Sequence, residues 1–255
     1  MSSFDASTPV GEIVSRHPST SRIFDRAGVD FCCGGKKSLA EACQVKGIPL
    51  DLLLAELAAE LAAVTDEPDV ALADAPLPAL ARYIVERFHV PLREELPRLG
   101  RMVERVVEAH GRAHPEVIPE LARVFRHFRG ELEEHLAKEE AILFPAVAAL
   151  ASDVAVGASA GVGAHAGIGA IGAIQALEAE HDEAGAALAR MRELTLDFTP
   201  PLGACNTFRA LYDGLARLES EMHLHVHLEN SVLFPRAQAR ERELAGSAIS
   251  PLAPG

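Results

Sequence analysis

The sequence predicts an all-α protein in which a small N-terminal helical domain precedes an antiparallel four-helix bundle. Ala, Leu, Glu and Arg dominate its 255 residues, and aromatic side chains make up only 5% of them. This balance favours helices, because unbranched side chains lose little rotamer freedom there. The C-terminal two-thirds contains four long amphipathic segments and shows no alternation typical of a strand. Four such helices are typical of an up-down bundle.

The predicted N-terminal domain spans residues 1–66. Two of its helices end at a glycine, Gly28 and Gly47, which suits the left-handed residue that follows many helices. The acidic segment 64–76, which contains two prolines, is expected to be the linker to the bundle. The helices of this domain are predicted over Ser19–Ala27, Ser38–Lys46 and Leu50–Ala63.

The predicted bundle spans residues 77–242. Pro91 and Pro97 are expected to bend or break its first helix, because proline lacks the amide hydrogen of the helical ladder. The Gly/Ala-rich segment 151–172 has almost no charge and is expected to be a long, loosely ordered loop. The four helices are predicted over Pro78–Ala109, Pro115–Leu150, Ala173–Thr195 and Gly203–Glu241.

An internal repeat carries the functional argument. The second and fourth helices align with a shift of 90 residues, and each has an apolar stripe in steps of three and four. Each stripe is interrupted at the same place by His-x3-Glu, as His135 and Glu139 in one helix and His225 and Glu229 in the other. A carboxylate on the inner face of a bundle costs several kcal/mol unless something compensates it. A bound cation would do so.

The other two helices add one histidine each to their apolar stripes. His89 lies 46 residues before His135, and His181 lies 44 residues before His225. Each half of the repeat therefore supplies two imidazoles and one carboxylate, and the two glutamates are free to bridge a pair of metal ions. The predicted metal ligands are His89, His135, Glu139, His181, His225 and Glu229.

The donor set favours iron. It contains no thiolate, which argues against a structural zinc site, and mixed imidazole and carboxylate ligands suit iron, manganese or zinc. Two ions bridged by carboxylates in a bundle core point to iron or manganese, and the many histidines favour iron. His127 and Glu131 have the same spacing but lie off the apolar stripe, so we interpret them as a solvated pair.

These motifs resemble those of a known family. The bundle motifs, which are similar to those of hemerythrin-type bundles, are Tyr83–His89 (YIVERFH), His135–Pro145 (HLAKEEAILFP), Glu180–Asp182 (EHD) and His225–Pro235 (HVHLENSVLFP). With Asp30–Gly35 (DFCCGG) in front of them, the chain resembles the RIC family, the repair-of-iron-centres di-iron proteins. The resemblance covers most of residues 8–66 and 77–237.

The resemblance implies a hemerythrin-like di-iron protein that helps to restore iron–sulfur clusters damaged by oxidative or nitrosative stress. The family's four histidine and two glutamate ligands fall on the same six residues that the spacing selects. The implied cofactor is a pair of iron ions, bridged by carboxylates and an oxo group. The expected mechanism is redox cycling with donation of iron to damaged iron–sulfur proteins, using an electron donor that the sequence does not identify.

Two other functions stay open at this point. A di-iron site could be an oxidoreductase that reduces nitric oxide to nitrous oxide, because six protein ligands leave open positions on two irons. Alternatively, the bundle could bind or sense O2 or NO, as a hemerythrin-like module. The DFCCGG segment argues against the second alternative, which gives the cysteine pair no purpose. A homodimer is also left open.

Cys32 and Cys33 are the other candidates for chemistry. Their Cα atoms are about 3.8 Å apart, shorter than the usual disulfide range, so a disulfide between them would be strained. Lys36 and Lys37 are expected to lower the pKa of a neighbouring thiol. We interpret the pair as redox or iron-transfer thiols. The alternative is two small buried hydrophobic residues.

The composition also restricts partners and location. A net charge of −13 argues against nucleic acid or an anionic membrane as a partner, and no apolar run is long enough to span a membrane. The first residues lack the blocks of a secretory signal, and four cysteines do not make a disulfide framework, so we expect a cytoplasmic protein. His223 and His227, beside the ligand stripe, are expected to be exposed. A role in orienting the ligands is the alternative.

Overall fold

The structure, a computed structural model, describes residues 4–63, 72, 74–151 and 170–248. These residues form helices and no strand, apart from one isolated antiparallel bridge between Pro9 and Ser38. The predicted all-α fold class is therefore confirmed. Most of the predicted linker and loop lies outside the described residues, although Ala170–Gly172 already belong to a helix. None of the described helices is both long and apolar enough to cross a membrane.

Four α-helices make up the N-terminal part of the chain. The three predicted helices are present, and Gly28 and Gly47 end two of them with φ angles of +64° and +67°. Ser38 and Glu41 form a reciprocal capping box at the start of the third helix. The first helix was not predicted, because its seven residues are too few to show a period and, unlike α2, it is not followed by a glycine. The helices are α1 (Val10–Arg16), α2 (Ser21–Ala27, after a 3₁₀ turn at Pro18–Thr20), α3 (Leu39–Lys46) and α4 (Leu50–Ala63).

Four long helices follow and pack around one apolar core, each against two neighbours. Three of them are interrupted by a π-helical segment of five residues. The first helix is α5 (Leu77–Ile84), π1 (Val85–His89) and α6 (Val90–His110). The second is α7 (Ile118–Lys138), π2 (Glu139–Leu143) and α8 (Phe144–Leu150). The third is α9 (Ala170–Leu194). The fourth is α10 (Asn206–Leu228), π3 (Glu229–Leu233) and α11 (Phe234–Ala248).

Each π segment lies directly before an X-Pro pair. The residue before Pro91, Pro145 or Pro235 donates its backbone N–H five residues back, instead of four. A proline leaves one helical carbonyl without a donor and presses on the preceding turn, and the wider π turn accommodates both effects. Of the two effects expected at Pro97, a bend or a break, the break is wrong, because α6 continues through it. Pro91 does not break its helix either, since π1 absorbs the change.

The N-terminal helices dock on the fourth long helix. Asp25 accepts a hydrogen bond from His223 Nδ1 at 2.7 Å. Burial lowers the pKa of His227 to about 4, so this neutral ring donates from Nδ1 to the carbonyl oxygen of Phe31 at 3.1 Å and contacts the Ser15 hydroxyl through Nε2 at 3.0 Å. The expectation that both histidines are exposed is therefore wrong. They hold the N-terminal part against α10.

The loop between α2 and α3 depends on a close backbone approach at Gly35. Its carbonyl oxygen accepts from the amide of Gly11 at 2.9 Å, and a Cβ at position 35 would lie 2.5 Å from the carbonyl oxygen of Phe31. A side chain there would distort the loop, and its Cβ would also lie 3.2 Å from Cα of Gly11 in α1.

We therefore expect Gly35→Ala to lower the free energy of unfolding by about 1–3 kcal/mol, measured by urea denaturation. Gly130→Ala is the matched control, because Gly130 lies inside α7 and a Cβ there meets nothing within 4 Å. The control should gain about 0.5–1 kcal/mol from reduced backbone freedom. A Gly35→Ala protein as stable as the wild type would contradict the close-approach argument.

Candidate metal centre

The structure brings all six predicted ligands together in the core of the bundle. Each of them is at most 4% exposed. Their side chains come from all four long helices, and His89, Glu139 and Glu229 lie within the π segments. They form two groups of four possible donors that share both glutamates, and the donor atoms of each group lie within 4.8 Å of one another.

The first half of the site pairs His89 with His225. Their Nε2 atoms are 3.1 Å apart. His89 Nε2 lies 3.4 Å from Oε2 of Glu139, and His225 Nε2 lies 3.0 Å from Oε1 of Glu229. Four donor atoms on four different elements therefore face one point.

The second half pairs His135 with His181, whose Nε2 atoms are 3.0 Å apart. His135 Nε2 lies 3.4 Å from Oε1 of Glu139, and His181 Nε2 lies 3.2 Å from Oε2 of Glu229. Each glutamate thus presents one oxygen to each half, which is the arrangement of a bridging carboxylate.

These distances fit a pair of cations. Two donors that lie about 2.1 Å from a metal ion and at right angles to each other are about 3 Å apart, which matches the Nε2 pairs. Within the described part of the chain, both oxygens of Glu139 and one of Glu229 are buried without a hydrogen-bond partner. Buried unpaired carboxylate oxygens are costly, and a cation in each half would satisfy them.

The electrostatics point the same way. Burial opposes protonation of His135, but the carboxylates of Glu139 and Glu229 beside it raise its pKa to about 9. Burial likewise opposes ionisation of Glu229, while His225 and His181 hold its pKa well below the ordinary value. The carboxylates therefore attract positive charge to the centre of the site.

Three of the four imidazoles form a hydrogen bond through Nδ1, the ring nitrogen that faces away from the candidate metal site. His89 is bonded to Glu140 at 2.8 Å, and His135 is bonded to Glu180 at 2.8 Å. Arg93 and Lys138 pair with these two carboxylates in turn. The third imidazole, His181, is bonded to the amide oxygen of Asn230 at 2.9 Å. An acceptor at Nδ1 keeps the proton there and leaves Nε2 free to bind a metal.

The supporting roles of these three residues were not predicted from the sequence. Glu140 and Asn230 each directly follow a predicted ligand glutamate, and Glu180 directly precedes a predicted ligand histidine. That adjacency was the available signal. It was not sufficient, because neighbours in a helix point in different directions and only the packing decides which ring they reach.

A small cavity of about 40 Å³ opens beside the second half. His135 and His181 line it, together with a wall of apolar side chains. His127 and Glu131 stand at its outer end as a 3.8 Å pair, both more than half exposed, as expected for a solvated pair. The cavity holds little more than one water-sized molecule. The apolar wall consists of Phe128, Leu132, Ala184, Ala187 and Met222.

The cysteine pair lies against the bundle. Cys33 is exposed, Cys32 is half-buried, and their free Sγ atoms are 3.9 Å apart. The contact with Cys33, burial and the carboxylate of Asp30 raise the pKa of Cys32. The expectation that neighbouring lysines favour a thiolate therefore does not hold for Cys32. The carbonyl oxygen of Cys32 accepts from the amide nitrogen of Asn230 at 3.5 Å.

Comparison with known proteins agrees with this architecture. Residues 80–237 match the hemerythrin HHE cation binding domain, and residues 6–61 match the ScdA_N domain, a domain of unknown function. The bundle is thus a metal-binding domain of the hemerythrin type.

Several curated proteins resemble nearly the whole chain. The iron–sulfur cluster repair protein YtfE of Pectobacterium carotovorum is 38% identical over 229 residues, which cover 89% of this chain and 95% of the relative. ScdA of Staphylococcus haemolyticus, of the same description, is 38% identical over 88% of this chain and 95% of its own. YtfE of Escherichia coli O1:K1 is 37% identical over 91% and 97%. The chain belongs to the family of iron–sulfur cluster repair proteins.

Proposed function

We propose that this protein holds two iron ions between its four long helices and uses them to restore iron–sulfur clusters damaged by oxidative and nitrosative stress. The observation that carries the proposal is the buried pair of donor groups with two shared carboxylates. The curated relatives are named for iron–sulfur cluster repair, which supports the same role for this chain.

Iron is the metal that suits these donors best. Each half offers two imidazole nitrogens and two carboxylate oxygens and no sulfur, a set used by iron, manganese and zinc. Carboxylates shared between two ions in a bundle core favour iron or manganese. A pair of irons would supply one-electron redox chemistry and free coordination positions.

The chain's own residues have separate tasks in this proposal. The imidazoles and carboxylates of the centre hold the metal, and the supporting carboxylates Glu140 and Glu180 keep two imidazoles in the binding tautomer. The exposed Cys33 and the half-buried Cys32 stand where a damaged iron–sulfur protein could meet the chain. We assign this pair to redox or iron transfer, because its loop reaches the bundle through Asn230.

The cellular location, the clients and the source of electrons are part of the same proposal. The cytoplasm is the location that fits four free thiols. Damaged iron–sulfur proteins are the clients, and a separate protein or small molecule provides electrons. A homodimer stays a prediction from the sequence alone.

Removal of both bridging carboxylates should abolish metal binding. We expect wild-type protein expressed with ample iron to contain two iron ions per chain, one for each donor group, and Glu139→Ala/Glu229→Ala protein to contain almost none. Glu131→Ala is the matched control, because Glu131 has the same spacing from a histidine but is 59% exposed. Metal analysis and the visible spectrum report the result. Iron retained by the double variant, or lost in the control, would contradict the assignment.

Removal of the thiols of Cys32 and Cys33 should slow cluster repair and leave metal binding unchanged. We expect Cys32→Ser/Cys33→Ser protein to keep its iron and to restore the activity of a nitric-oxide-damaged iron–sulfur hydratase at least tenfold more slowly. Cys205→Ser removes an exposed thiol elsewhere on the chain and should repair at the wild-type rate. Full repair by the double serine variant would exclude a role for the pair.

A second candidate function is the reduction of nitric oxide. The observation that favours it is the small, mostly apolar cavity beside His135 and His181, whose size suits a diatomic molecule. Two nitric oxide molecules would form an N–N bond, take up two electrons and two protons from a donor, and leave as nitrous oxide and water.

Sustained formation of nitrous oxide by the iron-loaded protein with a chemical reductant would support this candidate. We expect Ala184→Phe, which fills the cavity from α9, to slow turnover at least tenfold while iron content stays unchanged. Binding of nitric oxide without turnover would instead favour a hemerythrin-like binding or sensing module. Turnover at the wild-type rate in the Ala184→Phe variant would show that the reaction does not need this cavity.

A further inference from the structure

The two halves of the metal centre differ in how their histidines are supported. The internal repeat makes this difference visible, because equivalent positions can be compared directly. Position 140 corresponds to position 230, since each follows a ligand glutamate, and position 88 corresponds to position 180, since each precedes a ligand histidine. The repeat is closely matched at the six ligands but not at these four supporting positions.

The first pair of positions is filled by Glu140 and Asn230. Glu140 accepts from Nδ1 of His89 at 2.8 Å, and Asn230 accepts from Nδ1 of His181 at 2.9 Å. One imidazole in each half therefore receives an acceptor from this pair.

The second pair of positions is filled by Glu180 and Phe88. Glu180 accepts from Nδ1 of His135 at 2.8 Å, whereas Phe88 stacks on His225 with ring centroids 5.1 Å apart and an angle of 14° between the planes. A phenyl ring accepts no such hydrogen bond. Nδ1 of His225 is buried and has no hydrogen-bond partner among the residues that the structure describes.

The difference bears directly on cation binding. An imidazole that binds a metal through Nε2 must carry its proton on Nδ1, and an acceptor there orients the ring and raises its basicity. For His225 that proton would be buried and unpaired, which is unfavourable. The half with His135 and His181 has an acceptor behind both rings, and the half with His89 and His225 has an acceptor behind only one.

We infer that the two halves of the centre bind cations unequally: the half formed by His135 and His181 binds more tightly than the half formed by His89 and His225, and Asn230 is a positioning residue for the tighter half. This rests on the metal site proposed above. In a protein that donates iron, the weaker half is then the one from which iron is drawn at equilibrium.

Asn230 also ties the tighter half to the cysteine loop. Its amide orientation follows from its two contacts, because the oxygen must accept from His181 and the NH2 group is then left to donate to the carbonyl oxygen of Cys32 at 3.5 Å. A displacement of the loop at Cys32 would act on His181 through this single side chain. The equivalent residue of the other repeat, Glu140, pairs instead with Arg93 on the bundle itself.

The test is an anaerobic titration of metal-free protein with Co²⁺ against a competing chelator, followed through the visible bands of bound Co²⁺. We expect two ions per chain in two steps, separated by tenfold or more in affinity. Asn230→Ala should weaken the tighter step about tenfold, in line with other residues that support a metal-bound histidine. Glu140→Ala, at the same position of the other repeat, should weaken only the weaker step.

Asn230→Asp keeps the acceptor for His181 and should retain the tight step, which distinguishes hydrogen bonding from packing. Single-half proteins give an independent measurement: His225→Ala should bind one Co²⁺ more tightly than His181→Ala, and Asn230→Ala should weaken only the former. Circular dichroism confirms folding. Equal affinities in the wild type and in the single-half proteins, or an equal effect of Asn230→Ala on both steps, would overturn the inference. A total uptake below two ions would count against the metal site itself.

Discussion

The structure depends on keeping two carboxylates inside an apolar helical core. Glu139 and Glu229 are fully buried, and carboxylates in such a place destabilise a fold unless charge or hydrogen bonds compensate them. The four imidazoles that surround them provide this compensation. Glu140, Glu180 and Asn230 in turn form hydrogen bonds to three of these imidazoles. The proposed pair of cations would remove this cost, and metal binding would then be coupled to the stability of the core.

The fourth long helix concentrates these connections. Between His223 and Asn230 it carries the proposed ligands His225 and Glu229, and it also carries the polar contacts that hold the N-terminal helices. The π segment that begins at Glu229 lets the helix pass Pro235 without a break. Helices at functional sites often contain such π turns. Here each of three π turns contains one of the proposed ligands, so the prolines and the candidate metal centre share one local distortion of the backbone.

Much of this could be predicted from the sequence. The helix Leu50–Ala63 follows from its amphipathic pattern, and the ends at Gly28 and Gly47 follow from local rules of helix capping, which act over a few residues. The expected break at Pro97 failed because a proline in a long, well-packed helix is tolerated. The expectations for His223, His227 and the thiol of Cys32 failed for a different reason. The two histidines form contacts between the N-terminal part and the bundle, which no local pattern records. The pKa of Cys32 is raised by the contact with Cys33, by burial and by the carboxylate of Asp30, and these depend on how its loop folds.

The sequence by itself determined the fold class and which six polar side chains lie on the inner faces of the helices. Periodicity shows which face of a helix a residue lies on, and a polar side chain on an apolar face costs free energy unless a partner compensates it. Only the tertiary structure decided which imidazole pairs with which, that each glutamate serves both halves, and that three imidazoles are supported from behind while His225 is not. The physical reason is that spacing along a helix sets height and direction, whereas partners across the core are set by how four helices pack.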